Sequence, residues 1–97
     1  MDYKELINSN PIVVVEFYAS WCPHCQKMMP VVDQIKQLLG DKATVHQFDI
    51  DENQSLADAT GVESIPTFII YKNGVEVWRQ SGEMEGDVLY SKIENYL

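Results

Sequence analysis

The spacing of hydrophobic residues changes along the chain, and each spacing predicts a different element. An almost uninterrupted apolar run over Ile12–Tyr18, which includes Glu16, is typical of a strand buried on both faces. From Pro23 onward, apolar residues recur every three or four positions, which predicts an amphipathic helix that stops at Gly40. Pro30 lies inside this helix and is expected to kink it.

The remaining segments continue an alternation of helices and strands. They predict a short amphipathic helix within residues 1–8, strands at Ala43–Ile50, Thr67–Tyr71 and Val75–Arg79, a short helix at Ser55–Thr60, and a C-terminal helix carrying Val88, Leu89, Ile93, Tyr96 and Leu97. Asn73-Gly74 between the last two strands indicates a hairpin. This order predicts an α/β fold: one mixed sheet of about four strands with helices on both faces, in a single domain over residues 1–97.

The composition narrows the classes of function. Fifteen acidic residues against seven basic ones give a formal charge of -8, and the acids are scattered along the chain. Nucleic acid and anionic membrane are therefore not expected as partners. The first ten residues lack an apolar signal-sequence core, and the run Ile12–Val15 is too short to span a membrane. We expect a soluble, cytoplasmic protein, although removal of a signal sequence from a secreted precursor stays open.

Two cysteines are the main candidates for chemistry. Cys22 and Cys25 flank Pro23-His24 at the start of the long helix, where Pro23 suits the first helical position and Cys22 falls at the N-cap. There the Cys22 sulfur can accept hydrogen bonds from the backbone N–H groups of His24 and Cys25, and it faces the positive end of the helix dipole. Both effects favour a thiolate, and the spacing allows a reversible disulfide.

Other uses of the cysteines fit the sequence less well. A structural disulfide over so short a loop would stabilise the fold by only about 2 kcal/mol, against about 4 to 5 for a hundred-residue loop. Zinc needs four ligands, and His24 and His46 are wrongly spaced to complete a site, so no metal is expected. His24 is interpreted either as an exposed spacer or as a cation that stabilises the Cys22 thiolate and makes the disulfide more oxidising.

Several motifs together resemble the thioredoxin family. They are Phe17-Tyr18-Ala19-Ser20-Trp21-Cys22-Pro23-His24-Cys25, Pro30, Ile65-Pro66-Thr67, Asn73-Gly74 and Gly82. The resemblance implies a thioredoxin fold and a protein disulfide oxidoreductase without a bound cofactor. It also implies protein disulfides as substrates and a thioredoxin reductase-type electron donor.

The resemblance assigns roles residue by residue. Cys22 would attack the substrate disulfide, Cys25 would resolve the mixed disulfide, and Pro66 would be a cis-proline facing the pair. The residues implied for substrate binding are Trp21, Pro23, Ile65, Pro66, Thr67 and Gly82. For Trp21 and Gly82, plain packing and a turn are the alternatives.

The chain departs from the family pattern at the motif and behind it. Pro23-His24 resembles the dipeptide of periplasmic disulfide oxidases, although no segment is long enough for their helical insertion; we therefore expect a protein more oxidising than a typical thioredoxin. Glu16 takes the place of a buried aspartate, and Gln47 stands where a lysine often does. Glu16 is interpreted either as a general base for Cys25, with a raised pKa, or as a side chain that reaches solvent.

A third departure is the lack of the family's usual first strand. The strand at Ala43–Ile50 is therefore expected at an exposed sheet edge, in a monomer that can form a weak dimer. Two further functions stay open: a disulfide oxidase or isomerase of a secreted compartment, and a non-catalytic binding module in which the cysteines are incidental. A metal shared between two chains is a weaker third alternative.

Overall fold

The structure, a computed structural model, describes residues 1–97, and its elements follow the predicted order. The helices are α1 (Tyr3–Ile7), α2 (Pro23–Leu39), α3 (Gln54–Ala59) and α4 (Gly86–Glu94), and the strands are β1 (Ile12–Tyr18), β2 (Thr44–Asp49), β3 (Thr67–Lys72) and β4 (Val75–Ser81). The strands form one sheet in the order β2-β1-β3-β4. β1 pairs with β2 in parallel and with β3 antiparallel, and β3 and β4 are antiparallel. The predicted mixed four-stranded sheet is confirmed.

β1 is a central strand whose alternate side chains enter two separate cores. Ile12 and Val14 pack with residues of α2 and α4, whereas Val13, Val15 and Phe17 pack with residues of α1 and α3. Both faces are therefore covered by helices, and every residue from Ile12 to Phe17 is buried. This double coverage explains why the segment lacks the polar alternation of a half-exposed strand.

Helix α2 begins where the sequence predicts and places the cysteines at one end of the sheet. Pro23 is at the first helical position, Cys22 is the N-cap, and Gly40 caps the other end with a φ of 57°. The helix continues through Pro30 as a single element. Because β1 leads directly into this helix start, the cysteines lie beside the end of the central strand.

The sheet edges and the hairpin also agree with the sequence. β2 is an edge strand and its six residues are half-buried, while the predicted weak dimer stays a prediction. Asn73 and Gly74 connect β3 and β4 with φ values of 51° and 79°, as a tight hairpin turn requires. None of the helices has the length and apolar character needed to cross a membrane.

Candidate functional site

The cysteine pair lies in a small buried cluster with Ala19 at the start of α2. Both cysteines are free thiols, and Cys22 and Cys25 are 4% and 1% exposed. The backbone N–H of Cys25 donates to Cys22 Sγ at 3.2 Å. Of the two backbone donors predicted for this sulfur, Cys25 makes the bond and His24 does not.

The surroundings give the two thiols different chemistry. Burial raises the pKa of Cys25, and the neighbouring Cys22 side chain and the charge of Glu16 raise it further. Cys22 Sγ instead accepts a backbone hydrogen bond at the N-terminus of α2, where the helix dipole presents its positive end. The protonated thiol is therefore favoured at Cys25 near neutral pH.

The predicted Ile65-Pro66-Thr67 motif faces Cys22. The Ile65–Pro66 peptide bond is cis, and Cys22 Sγ lies 4.0 Å from the carbonyl oxygen of Ile65. Gly82 adjoins this motif, since its N–H donates to the carbonyl oxygen of Pro66 at 2.8 Å. Thr67 is buried and its hydroxyl is 2.7 Å from that of Ser81. The structure therefore brings the cysteines together with motif residues that lie forty or more positions away in the chain.

Trp21 lies on the surface beside the pair and is 62% exposed. Its indole Nε1–H donates to Asp51 Oδ2 at 2.8 Å. With Ile65 it borders a cavity of about 230 Å³, which Ile50 and Val62 help to line. An indole this exposed is not a core residue. The sequence did not predict that Asp51 would hold it by a hydrogen bond.

His24 is exposed but has a partner that the sequence did not reveal. Its Nδ1 contacts the carboxylate of Glu83, in the loop after β4, and Lys27 Nζ lies 3.8 Å from the same carboxylate oxygen. The hydrogen bond from His24 lowers the pKa of Glu83. The Glu83 carboxylate therefore lies within reach of two side chains of α2 that can carry positive charge, His24 and Lys27.

Glu16 lies behind the pair, buried on β1 at 0% exposure. The interpretation that it reaches solvent is therefore wrong, because helices cover both faces of β1. Gln47 Nε2 donates to Glu16 Oε1 at 2.8 Å, whereas Oε2 is buried and has no hydrogen-bond partner. Burial raises the pKa of Glu16 to about 7, and the Gln47 hydrogen bond and the Lys36 charge oppose that rise. Lys36 thus brings a cation near Glu16 although Gln47 stands where the family often has a lysine.

The structure contains no group of three or more His, Cys, Asp and Glu side chains that could hold a metal ion. His46 belongs to β2, and burial lowers its pKa.

Comparison with known proteins agrees with this geometry. The family model described as Thioredoxin matches residues 1–95. The chain is 38% identical over 96 residues to thioredoxin Y, chloroplastic, of Oryza sativa, which covers 98% of this chain and 57% of that protein. It is 36% identical to thioredoxin 1 of Synechococcus elongatus, covering 97% and 88% of the two chains. A solved mutant thioredoxin from Halobacterium salinarum superimposes with a TM-score of 0.88 at 36% identity, covering 96% and 80%.

The chain spans little more than half the length of its chloroplastic relatives from rice and Arabidopsis thaliana. The match nevertheless includes nearly all of this chain, and the fold and the cysteine spacing agree with it. The chain belongs to the thioredoxin family.

Proposed function

We propose that this chain is a protein disulfide oxidoreductase that exchanges dithiol for disulfide through Cys22 and Cys25. The observation that carries the proposal is the free cysteine pair at the N-terminus of α2, with Cys22 Sγ 4.0 Å from Ile65 O. Thioredoxins carry no cofactor, and their redox-active cysteines perform the chemistry. We propose the same for this chain, as a single domain over residues 1–97.

The first step is attack by the Cys22 thiolate on one sulfur of a substrate disulfide. A new bond joins Cys22 to that sulfur, the substrate disulfide breaks, and the other substrate sulfur leaves as a thiolate. Cys25 then loses its proton and attacks Cys22 Sγ. The mixed disulfide breaks, the Cys22–Cys25 disulfide forms, and the second substrate thiolate leaves. The substrate gains the two electrons that the cysteine pair loses.

The second step needs a base, because burial raises the pKa of Cys25. We propose Glu16 for this role, with its unpartnered Oε2 as the atom that takes the proton. Its pKa of about 7 suits proton exchange near neutral pH. A charge on Glu16 raises the pKa of Cys25, which supports an interaction between the two groups.

Substrate binding is proposed for the surface around Cys22. The Ile65 carbonyl oxygen, 4.0 Å from Cys22 Sγ, supports a role for Ile65 in pairing with the backbone of an extended substrate. Pro66, Thr67 and Gly82 adjoin it, and we include Trp21 and Pro23, which flank Cys22 in the chain, in the proposed surface. Thioredoxins act on protein disulfides and are reduced by thioredoxin reductase, so we propose such partners here, in a cytoplasmic setting that keeps the pair mostly reduced.

We further propose that the pair is more oxidising than that of a typical thioredoxin. A protonated His24 next to Cys22 stabilises the thiolate that reduction releases, which raises the reduction potential. The Glu83 carboxylate, in contact with His24, offsets that positive charge and limits the size of the effect. A secreted disulfide oxidase or isomerase is the alternative that this property would favour.

The test is a Cys22→Ser variant in an assay that follows reduction of a disulfide-containing protein such as insulin by dithiothreitol. The unaltered chain should accelerate the reaction, and the variant should not. Surface variant Glu94→Gln, far along α4, serves as the matched control and should keep full activity. Effects on a partner that survive in Cys22→Ser would favour the binding-module alternative instead.

A further inference from the structure

Three polar side chains form a continuous hydrogen-bonded path from α2 to the buried Glu16. Lys36 Nζ donates to Gln47 Oε1 at 2.8 Å, and Gln47 Nε2 donates to Glu16 Oε1 at 2.8 Å. The backbone favours this path, because Glu16 and Gln47 are direct partners in the β1–β2 register. Gln47 Nε2 also lies 3.5 Å from Met29 Sδ, so α2 contacts the amide at two points.

The charge of Lys36 determines which way the Gln47 amide faces. An ammonium group has only donors, so it requires the amide oxygen on its own side. The amide NH₂ group is thereby directed at Glu16, where it stabilises a carboxylate more than a neutral acid. Without Lys36, the amide could rotate and present its oxygen to Glu16, which would favour the protonated acid.

The position of Lys36 on α2 links it to the site. It follows Cys25 by eleven residues, about three helical turns, so both lie on the same face of the helix. The titratable groups that act on or respond to Glu16 are Cys25 and Lys36 of α2 and Tyr18 of its own strand. Its neighbours on the two adjoining strands, Gln47 and Phe68, are uncharged. Lys36 is therefore the cation available to this carboxyl.

We propose that Lys36 is a positioning residue that acts on Glu16 through the Gln47 amide and so sets the pH range in which Glu16 holds its proton. The path itself stands on geometry alone. Its consequence for disulfide exchange rests on the proposed function, in which Glu16 accepts the proton of Cys25.

The test measures the Glu16 carboxyl directly, by ¹³C NMR titration of the reduced protein. Lys36→Met should raise the pKa of Glu16 by about one pH unit, and Lys36→Arg, which keeps a cationic donor, should restore most of the original value. Gln47→Leu should also raise it. The double variant should raise it by less than the two single changes together, because Lys36 can no longer orient the amide and only the direct effect of its charge on Glu16 remains to be lost.

Lys42→Met is the matched control, since it removes the same charge from an exposed residue beyond the end of α2. An unchanged pKa in Lys36→Met, an equal change in Lys42→Met, or additive changes in the double variant would each overturn the proposal. The pH dependence of the exchange rate is measured alongside. If the pKa of Glu16 moves and the rate profile does not follow, the base role of Glu16 fails while the path from Lys36 stands.

Discussion

Replacing Glu16 by glutamine should change how stability depends on pH. The unfolded chain releases this proton near the ordinary pKa of 4.5, whereas the folded protein holds it up to a pKa of about 7. Between these values the folded state binds more protons than the unfolded state, so the free energy of unfolding falls as pH rises. Above both pKa values this loss of unfolding free energy is complete, and below both pKa values there is no loss.

The size of this effect follows from the pKa difference. The folded and ordinary values, about 7 and 4.5, differ by about 2.5 pH units. At about 1.36 kcal/mol per unit this corresponds to about 3 kcal/mol. The side chain is 0% exposed, so solvent does little to screen it. Glutamine keeps an acceptor for Gln47 and cannot ionise, and its profile should lack this contribution.

Urea unfolding at a series of pH values, with dithiothreitol to keep both cysteines reduced, measures the effect. Between about pH 4.5 and 8, the unfolding free energy of Glu16→Gln should rise by about 3 kcal/mol relative to that of the unaltered protein. The buried NH₂ group of the glutamine lowers the unfolding free energy of the variant, but by an amount that does not vary with pH. The exposed Glu94→Gln variant should parallel the unaltered protein. Parallel profiles for Glu16→Gln as well would refute the reasoning.

Three further predictions test other parts of the molecule. Cys25→Ser should accumulate a mixed disulfide with a protein substrate, visible as an adduct on a non-reducing gel, because nothing resolves it; normal turnover would contradict this. His24→Gln should lower the reduction potential by about 30 mV, tenfold in the exchange equilibrium, and Glu83→Gln should raise it, because the carboxylate offsets the imidazolium charge. Equilibration with a glutathione buffer measures both, and unchanged potentials would refute the charge argument. Gly74→Ala should reduce the free energy of unfolding by about 1–2 kcal/mol more than Gly40→Ala. Both positions have positive φ, but a Cβ at Gly74 would lie 2.2 Å from Asn8 Oδ1 and one at Gly40 would meet nothing within 4 Å; equal losses in urea unfolding would contradict the steric argument.

The order and type of the elements could be predicted because each depends on local spacing. The apolar run of β1, the three-and-four spacing of α2 and the Asn73-Gly74 turn all appear as predicted. Helix ends are less well determined: the helix predicted at Ser55–Thr60 lies at Gln54–Ala59, because a terminal residue gains or loses helical hydrogen bonds at little cost. The N-cap position of Cys22 was likewise predictable, since it needs only Pro23 and the end of β1.

The chain by itself determined the cysteine pair at the start of α2, the buried strand β1 and the family motifs. Only the tertiary structure decided which side chains contact them: Asp51 contacts Trp21, Glu83 contacts His24, and Gln47 makes hydrogen bonds to both Lys36 and Glu16. The spacing of apolar residues shows which face of a helix or strand is buried, and this spacing involves only residues that are close in sequence. Which polar side-chain ends meet depends on how separate elements pack, and the partners here lie 11 to 59 residues apart.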